Sequence, residues 1–160
     1  MSEFVQRAEQ PYAAIAITAT LREWGSVNAL VPEVYGWLAE RNIPPAGALF
    51  YRHRVVGGLD EKFEVEVGVP VAGPVDGDGR VSAGAKPAGR YAVRVHHGHP
   101  DDVARTHLEL VDWATGQGQP PVRDGEVWVG MFESYLTNPD DEPDPARWET
   151  ELSYLVTPAR

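Results

Sequence analysis

Phe63-Glu64-Val65-Glu66-Val67-Gly68-Val69-Pro70-Val71 and Trp148-Glu149-Thr150-Glu151-Leu152-Ser153-Tyr154-Leu155-Val156 read alike in register, both as aromatic-Glu-x-Glu-aliphatic. Internal similarity of this kind points to a duplicated unit. Working outward from each copy, the same order of elements returns. An alternating or apolar strand opens each half, Tyr12 to Leu21 in the first and Arg90 to His97 in the second. A helix follows in each. The first is predicted over Val27 to Arg41, with Leu30, Val31, Val34, Trp37 and Leu38 at three- and four-residue spacing and Ser26 as its cap. The second is predicted over Asp101 to Thr115, with Ala104, Leu108, Val111 and Trp113 as its apolar stripe and Gly116 as its stop. A strand comes next in each half, Leu49 to Val55 and Val127 to Leu136, before the Glu-x-Glu strand. The unit is therefore β-α-β-β, twice, over residues 11–72 and 88–157.

Ala72 to Gly89, rich in Gly, Pro and Asp, reads as the connection between the halves, and Asn138 to Arg147 as a polar surface loop. About 75 residues with one helix and three strands form a marginal core alone, so both halves are expected in one domain covering residues 1–160.

Strand alternation assigns faces. Phe63, Val65, Val67 and Val69 share one side, opposite Glu64 and Glu66; Trp148, Thr150, Leu152 and Tyr154 share one side, opposite Glu149, Glu151 and Ser153. The apolar sides are expected to meet the helices, so Glu66 and Glu151 should point away from them into a shared groove. Glu133 and Tyr135 fall on one face of their strand, with Phe132 on the other. Carboxylates among aromatic rings suit a delocalised cationic or flat aromatic ligand, because charge and ring quadrupoles both favour it.

Bulk properties narrow the function. With 24 acidic and 14 basic side chains the net charge is -10, which disfavours direct nucleic-acid binding. There is no cysteine, which removes thiolate zinc sites and thiol nucleophiles. No apolar run is long enough for a membrane helix and no signal pattern opens the chain, so a cytoplasmic protein without membrane contact is the expectation. His96, His97 and His99 do not converge with a carboxylate, and no metal or other cofactor is expected. Ser134 and Ser153 lie in no nucleophile elbow.

Several motifs together resemble the GyrI-like small-molecule-binding family, which includes the effector-binding domains of MerR- and AraC-type activators. They are Pro87-Ala88-Gly89-Arg90-Tyr91-Ala92, Gly98, Trp113, Glu133-Ser134-Tyr135, Trp148-Glu149-Thr150-Glu151-Leu152, and in the first half Glu66-Val67-Gly68-Val69-Pro70-Val71. The resemblance spans residues 11–156. It implies an α+β fold: duplicated SHS2-like β-α-β-β halves forming a concave antiparallel sheet, helices on one face, and a central ligand cleft. It further implies a ligand glutamate at Glu151, supported by Glu133 and Tyr135. Glu66, Tyr51, His53, Tyr91, Phe132 and Ser153 complete the expected ligand-binding set. Ser153 stands where the family more often has a larger side chain. Only eleven residues precede Tyr12, too few for a DNA-reading module, so the expected role is a stand-alone sensor or multidrug-sequestering protein for aromatic, cationic compounds. A second implied reading is hydrolysis of cyclopropane-bearing alkylating compounds, with Glu151 and Glu133 as acid and base. A third is interaction with a protein partner, as in the family member that inhibits DNA gyrase.

Overall fold

Val65, Val67, Val69 and Val71 are fully buried while Glu64 is exposed, so the first Glu-x-Glu segment forms a strand with one wholly apolar side. The computed structural model describes residues 1–157, and in chain order its strands are β1 (Glu3–Arg7), β2 (Gln10–Ala19), β3 (Phe50–Val55), β4 (Phe63–Pro70), β5 (Val81–Lys86), β6 (Gly89–His97), β7 (Arg123–Asp124), β8 (Val127–Trp128), β9 (Met131–Tyr135) and β10 (Glu149–Thr157). Its α-helices are α1 (Trp24–Asn28), α2 (Leu30–Glu40) and α3 (Val103–Gly116).

Eight strands make one antiparallel sheet in the order β1-β6-β10-β9-β3-β4-β2-β5, and β7 and β8 pair as a separate ribbon. The duplication is visible in that order. Reading from the β9·β3 seam, each half lays out its second, third and first repeat strand. The fold is α+β, with two β-α-β-β units side by side.

The two edge strands were not foreseen. β1 lies in the stretch ahead of the first repeat strand, and β5 lies in the segment read as a connection. Each leads one half yet pairs with the opposite one: β1 runs along β6 and β5 runs along β2. This exchange ties the halves together through backbone hydrogen bonds as well as packing.

Both long helices cover the same side of the sheet. Leu30, Val34 and Leu38 of α2 pack on Val65, Val67 and Val69, and Leu110 and Ala114 of α3 pack with Leu152 and Tyr154. The other side curls inward, where Tyr12 of β2, Phe50 of β3, Phe132 of β9, Leu155 of β10, and Tyr91 and Val93 of β6 close into one cluster across the sheet. Gly68 and Gly84 make room for it. A Cβ at Gly68 would stand 2.5 Å from the Phe50 ring, and one at Gly84 would stand 2.7 Å from Tyr12.

Three local expectations are corrected. The first helix is broken at Ala29 into α1 and α2 and begins at Trp24, so Ser26 lies inside α1 rather than capping it. The strand expected over Val127 to Leu136 is two pieces, β8 and β9, interrupted where Gly130 passes 2.7 Å (as a Cβ) from Leu155. The buried stripe of α3 is not the expected one: Leu108 is 66% exposed and Leu110 fully buried. Val111 and Trp113 of the expected stripe do pack against the cluster around Leu110, Trp113 tilted on Phe4 of the unforeseen strand β1 with ring centroids 4.5 Å apart, and His107 turns toward the sheet with them.

Candidate functional site

At the seam, β3 and β9 pair Tyr51 directly with Glu133. Cross-strand partners point to the same side, and that side carries the helices, since Glu133 also pairs with the helix-facing Leu152 of β10. Above the seam a cavity of about 310 Å³ opens between α1 and the turn that leads into α3. Glu133, Tyr51 and Tyr135 form its floor. Trp24 and Asn28 come from α1, Trp148 and Thr150 from the second Glu-x-Glu segment, and His99 and Asp101 from the turn before α3. Among the described residues lining it there is no lysine or arginine.

Glu133 is 8% exposed and sits in a network of hydrogen bonds and charge. Its Oε2 lies 3.0 Å from Nε2 of His107 and 2.8 Å from Nε2 of His53. Its Oε1 accepts the Tyr135 hydroxyl at 3.2 Å, and Tyr154 meets Nδ1 of His107 at 2.7 Å. The two histidines differ. His107 makes aligned hydrogen bonds at both ring nitrogens, whereas His53, though close to Oε2, has neither ring N–H aligned on an acceptor. The His53 ring lies parallel to Trp24, centroids 6.1 Å apart.

Burial pushes the Glu133 carboxyl upward, but the charge and hydrogen bonds of His53 and His107 overcome it and hold the group well below the usual carboxylate range. Glu133 is thus an ionised, buried carboxylate at neutral pH. Burial next to that charge pushes the Tyr51 hydroxyl up to about 12 and the Tyr135 hydroxyl well up, so both stay neutral phenols. Tyr51 donates to Oδ1 of Asn28 at 2.7 Å, which fixes one wall.

The expected ligand-binding residues divide between the two faces of the sheet. Glu133, Tyr135, Tyr51 and His53 come together beneath the cavity. Glu66, Glu151, Tyr91, Phe132 and Ser153 lie on the opposite, curled face, so the expectation of one groove holding Glu66, Glu151 and Glu133 is corrected. The reason is parity: Glu151 pairs with Ser134, not with Glu133, and neighbouring positions on β9 point opposite ways. On the curled face both acids already have cations. Arg7 of β1 meets Glu151 at 2.8 Å, and Glu66 accepts from Arg54 at 3.0 Å and from the Tyr12 hydroxyl at 2.8 Å. Tyr91, Phe132 and Ser153 are buried in packing. The separation also removes the expected pair of coupled acids. With Glu133 held ionised, it lacks the proton a general acid would donate.

Reasoning from sequence missed His107, Trp24 and Asn28. His107 stands three and seven residues before Leu110 and Ala114, the spacing of one helix face; that signal was legible once Leu110 rather than Leu108 is taken as core.

A curled antiparallel sheet bearing two helices, with an aromatic-walled cavity over an ionised carboxylate at its centre, defines a small-molecule-binding domain. The family model described as "GyrI-like small molecule binding domain" matches residues 1–156, and the chain belongs to that family. Solved structures carry the same fold at low sequence identity. The C-terminal domain of EcmrR superposes with a TM-score of 0.77 at 18% identity, covering 99% of this chain and 98% of that one. EcmrR in a DNA complex gives a TM-score of 0.83 at 16% identity, but there the match covers 99% of this chain and only 58% of the EcmrR chain. SAV2435 bound to tetraphenylphosphonium gives 0.65 at 14% identity, covering 98% of this chain and 94% of that one. Comparison with curated protein sequences finds no match. No helix among the described residues is long and apolar enough to cross a membrane.

Proposed function

We propose that this domain binds flat or bulky aromatic organic cations in the cavity above the β3·β9 seam, with Glu133 as the charge that selects them. One observation carries the reading: an ionised carboxylate is buried at the floor of a cavity whose walls supply Trp24, Trp148, Tyr51 and Tyr135 and, among the described residues, no lysine or arginine. A buried charge is costly unless compensated. A delocalised cation compensates it while its apolar rings exclude water and face aromatic quadrupoles. Asp101 and Glu149 at the rim add to the field that draws a cation in. That SAV2435, which shares the fold, is bound to an aromatic phosphonium cation supports the same chemistry here.

The family resemblance pointed to Glu151 for this role, but its ion pair with Arg7 on the far face makes Glu133 the better choice. Titration of the protein with tetraphenylphosphonium, followed by tryptophan fluorescence, tests the reading. Saturable quenching in the wild type and its loss in Glu133→Gln are expected. Equal binding by both, or by neither, overturns it.

A further inference from the structure

His53 touches no ligand in the reading above, yet it is 4% exposed, lies 2.8 Å from Glu133, and has no aligned hydrogen bond at either ring nitrogen. What a buried imidazole in that position has beside it is the opposite charge of the Glu133 carboxylate, at 2.8 Å, rather than a place in a fixed hydrogen-bond network. The groups around it decide which histidine can answer that charge. From α3, His107 faces Glu133; from β10, Tyr154 faces His107; from β9 come Glu133 and Tyr135, and from β3 itself Tyr51. The turn before α3 brings Asp101 and His99 to the rim, and the second Glu-x-Glu segment brings Glu149. The contacts from α1 and β4 are Trp24 and Phe63, which do not titrate.

Tyr154 remains a phenol, since burial raises its hydroxyl pKa well above the ordinary value, and its hydroxyl is hydrogen-bonded to Nδ1 of His107 at 2.7 Å. His107 is thereby held at both ring nitrogens, between the Tyr154 hydroxyl and the Glu133 carboxylate. His53 has no such lock. We infer that His53 is the cavity's resident counter-cation, carrying a proton opposite Glu133 when the cavity is empty and releasing it to solvent when an organic cation takes its place.

This rests on the cation-binding reading and adds a specificity rule to it. The ligand must outcompete a proton, so permanent cations gain as pH rises and neutral aromatic compounds bind without proton release. The exchange balances: one cation enters, the proton on a His53 ring nitrogen leaves, and the charge opposite Glu133 is unchanged. The sign follows from linkage. A ligand that binds the form with one proton fewer binds more tightly at higher pH, by up to about tenfold per pH unit while the histidine is protonated in the free protein.

Calorimetric titration with tetraphenylphosphonium at pH 5.5, 7.0 and 8.5, in buffers of different ionisation enthalpy, tests the exchange. Expected are affinity that rises about tenfold or more between the lowest and highest pH and release of close to one proton at the acid end. In His53→Gln, affinity should become independent of pH, whereas His107→Gln should keep the proton release. Binding with no proton release and no pH dependence in the wild type overturns the exchange and leaves the cation-binding reading standing. Proton release that survives in His53→Gln overturns it too. Absence of binding at every pH overturns both. Should His53→Gln not fold, the wild-type heat in the two buffers still decides.

Discussion

The two faces of the sheet hold comparable sets of carboxylates and aromatic rings and use them in opposite ways. On the helix side, Glu133 faces an open cavity with His53 and His107 against its carboxylate and, among the described residues lining that cavity, no lysine or arginine. On the curled side, Glu66 and Glu151 are matched by arginines, and the rings of Tyr12, Phe50, Phe132 and Tyr91 fill the space themselves. Arg52 is buried there, its guanidinium donating to the Tyr12 hydroxyl and to the carbonyls of Ala85 and Val129. Lys86 lies over the Phe50 and Phe132 rings at 4.3 and 5.0 Å. The difference teaches that residue types alone do not mark a site. What separates a binding face from a structural one is whether the charges are already paired and the volume already filled.

The largest effect should come from breaking the filled face. Arg52→Leu removes the buried donor that the Tyr12 hydroxyl and the Ala85 and Val129 carbonyls share, and is expected to lower unfolding free energy by about 2–4 kcal/mol. Urea denaturation measures this. Affinity of the folded fraction for tetraphenylphosphonium should stay within about threefold of wild type, since Arg52 does not reach the cavity. A large loss of affinity in the folded fraction would mean the two faces are coupled.

Next in size is the contrast among the carboxylates. Glu133→Gln is expected to weaken tetraphenylphosphonium binding by about 100-fold, equivalent to roughly 2.7 kcal/mol, while Glu66→Gln and Glu151→Gln change it less than about threefold. Direct titration of the three variants ranks them. If Glu151→Gln proved the weak binder, the ligand would lie on the curled face and the comparison would invert.

Lys86 offers a smaller effect of unusual sign. Burial pulls its ammonium down from 10.5 to about 8. Below that value both folded and unfolded chains hold the proton and the penalty is present in full. Between about pH 8 and 10.5 only the unfolded chain holds it, so stability rises with pH across that window. Lys86→Met should stabilise the protein at pH 7 by about 1–3 kcal/mol and abolish the rise, as thermal unfolding at pH 7, 8.5 and 9.5 would show. No gain in Lys86→Met would mean that its ring contacts offset its desolvation.

Much of this architecture was legible because strands and helices announce themselves by period. The Glu-x-Glu repeat located β4 and β10, and the apolar spacing of Leu30, Val34 and Leu38 located α2. The two edge strands were not legible. Glu3–Arg7 and Val81–Lys86 are short and carry polar or small residues, as edges do, and their pairing with the opposite half is set by the curl of the whole sheet. Missing β1 hid Arg7, and with it the reason Glu151 is not free. For the site, alternation assigned each glutamate to one side of its own strand, but which sides of different strands coincide depends on register. The pairing of Glu151 with Ser134 is a one-residue matter that no pattern in either strand states.

The smallest expected effect tests the register of α3, on which the helix-face site depends. The apolar spacing Ala104, Leu108, Val111 competes with Val103, His107, Leu110, Ala114 for the inward side. The second stripe faces the sheet, leaving Leu108 66% exposed. Leu108→Ala should therefore change stability by no more than about 0.5 kcal/mol, within the range of surface substitutions. Thermal unfolding settles the point. A loss of about 2 kcal/mol or more would place Leu108 inward, and turning the helix by that one residue, about 100°, would carry His107 off Glu133. The buried carboxylate would then keep His53 as its only histidine, and the contrast between the two faces would rest on a single ion pair.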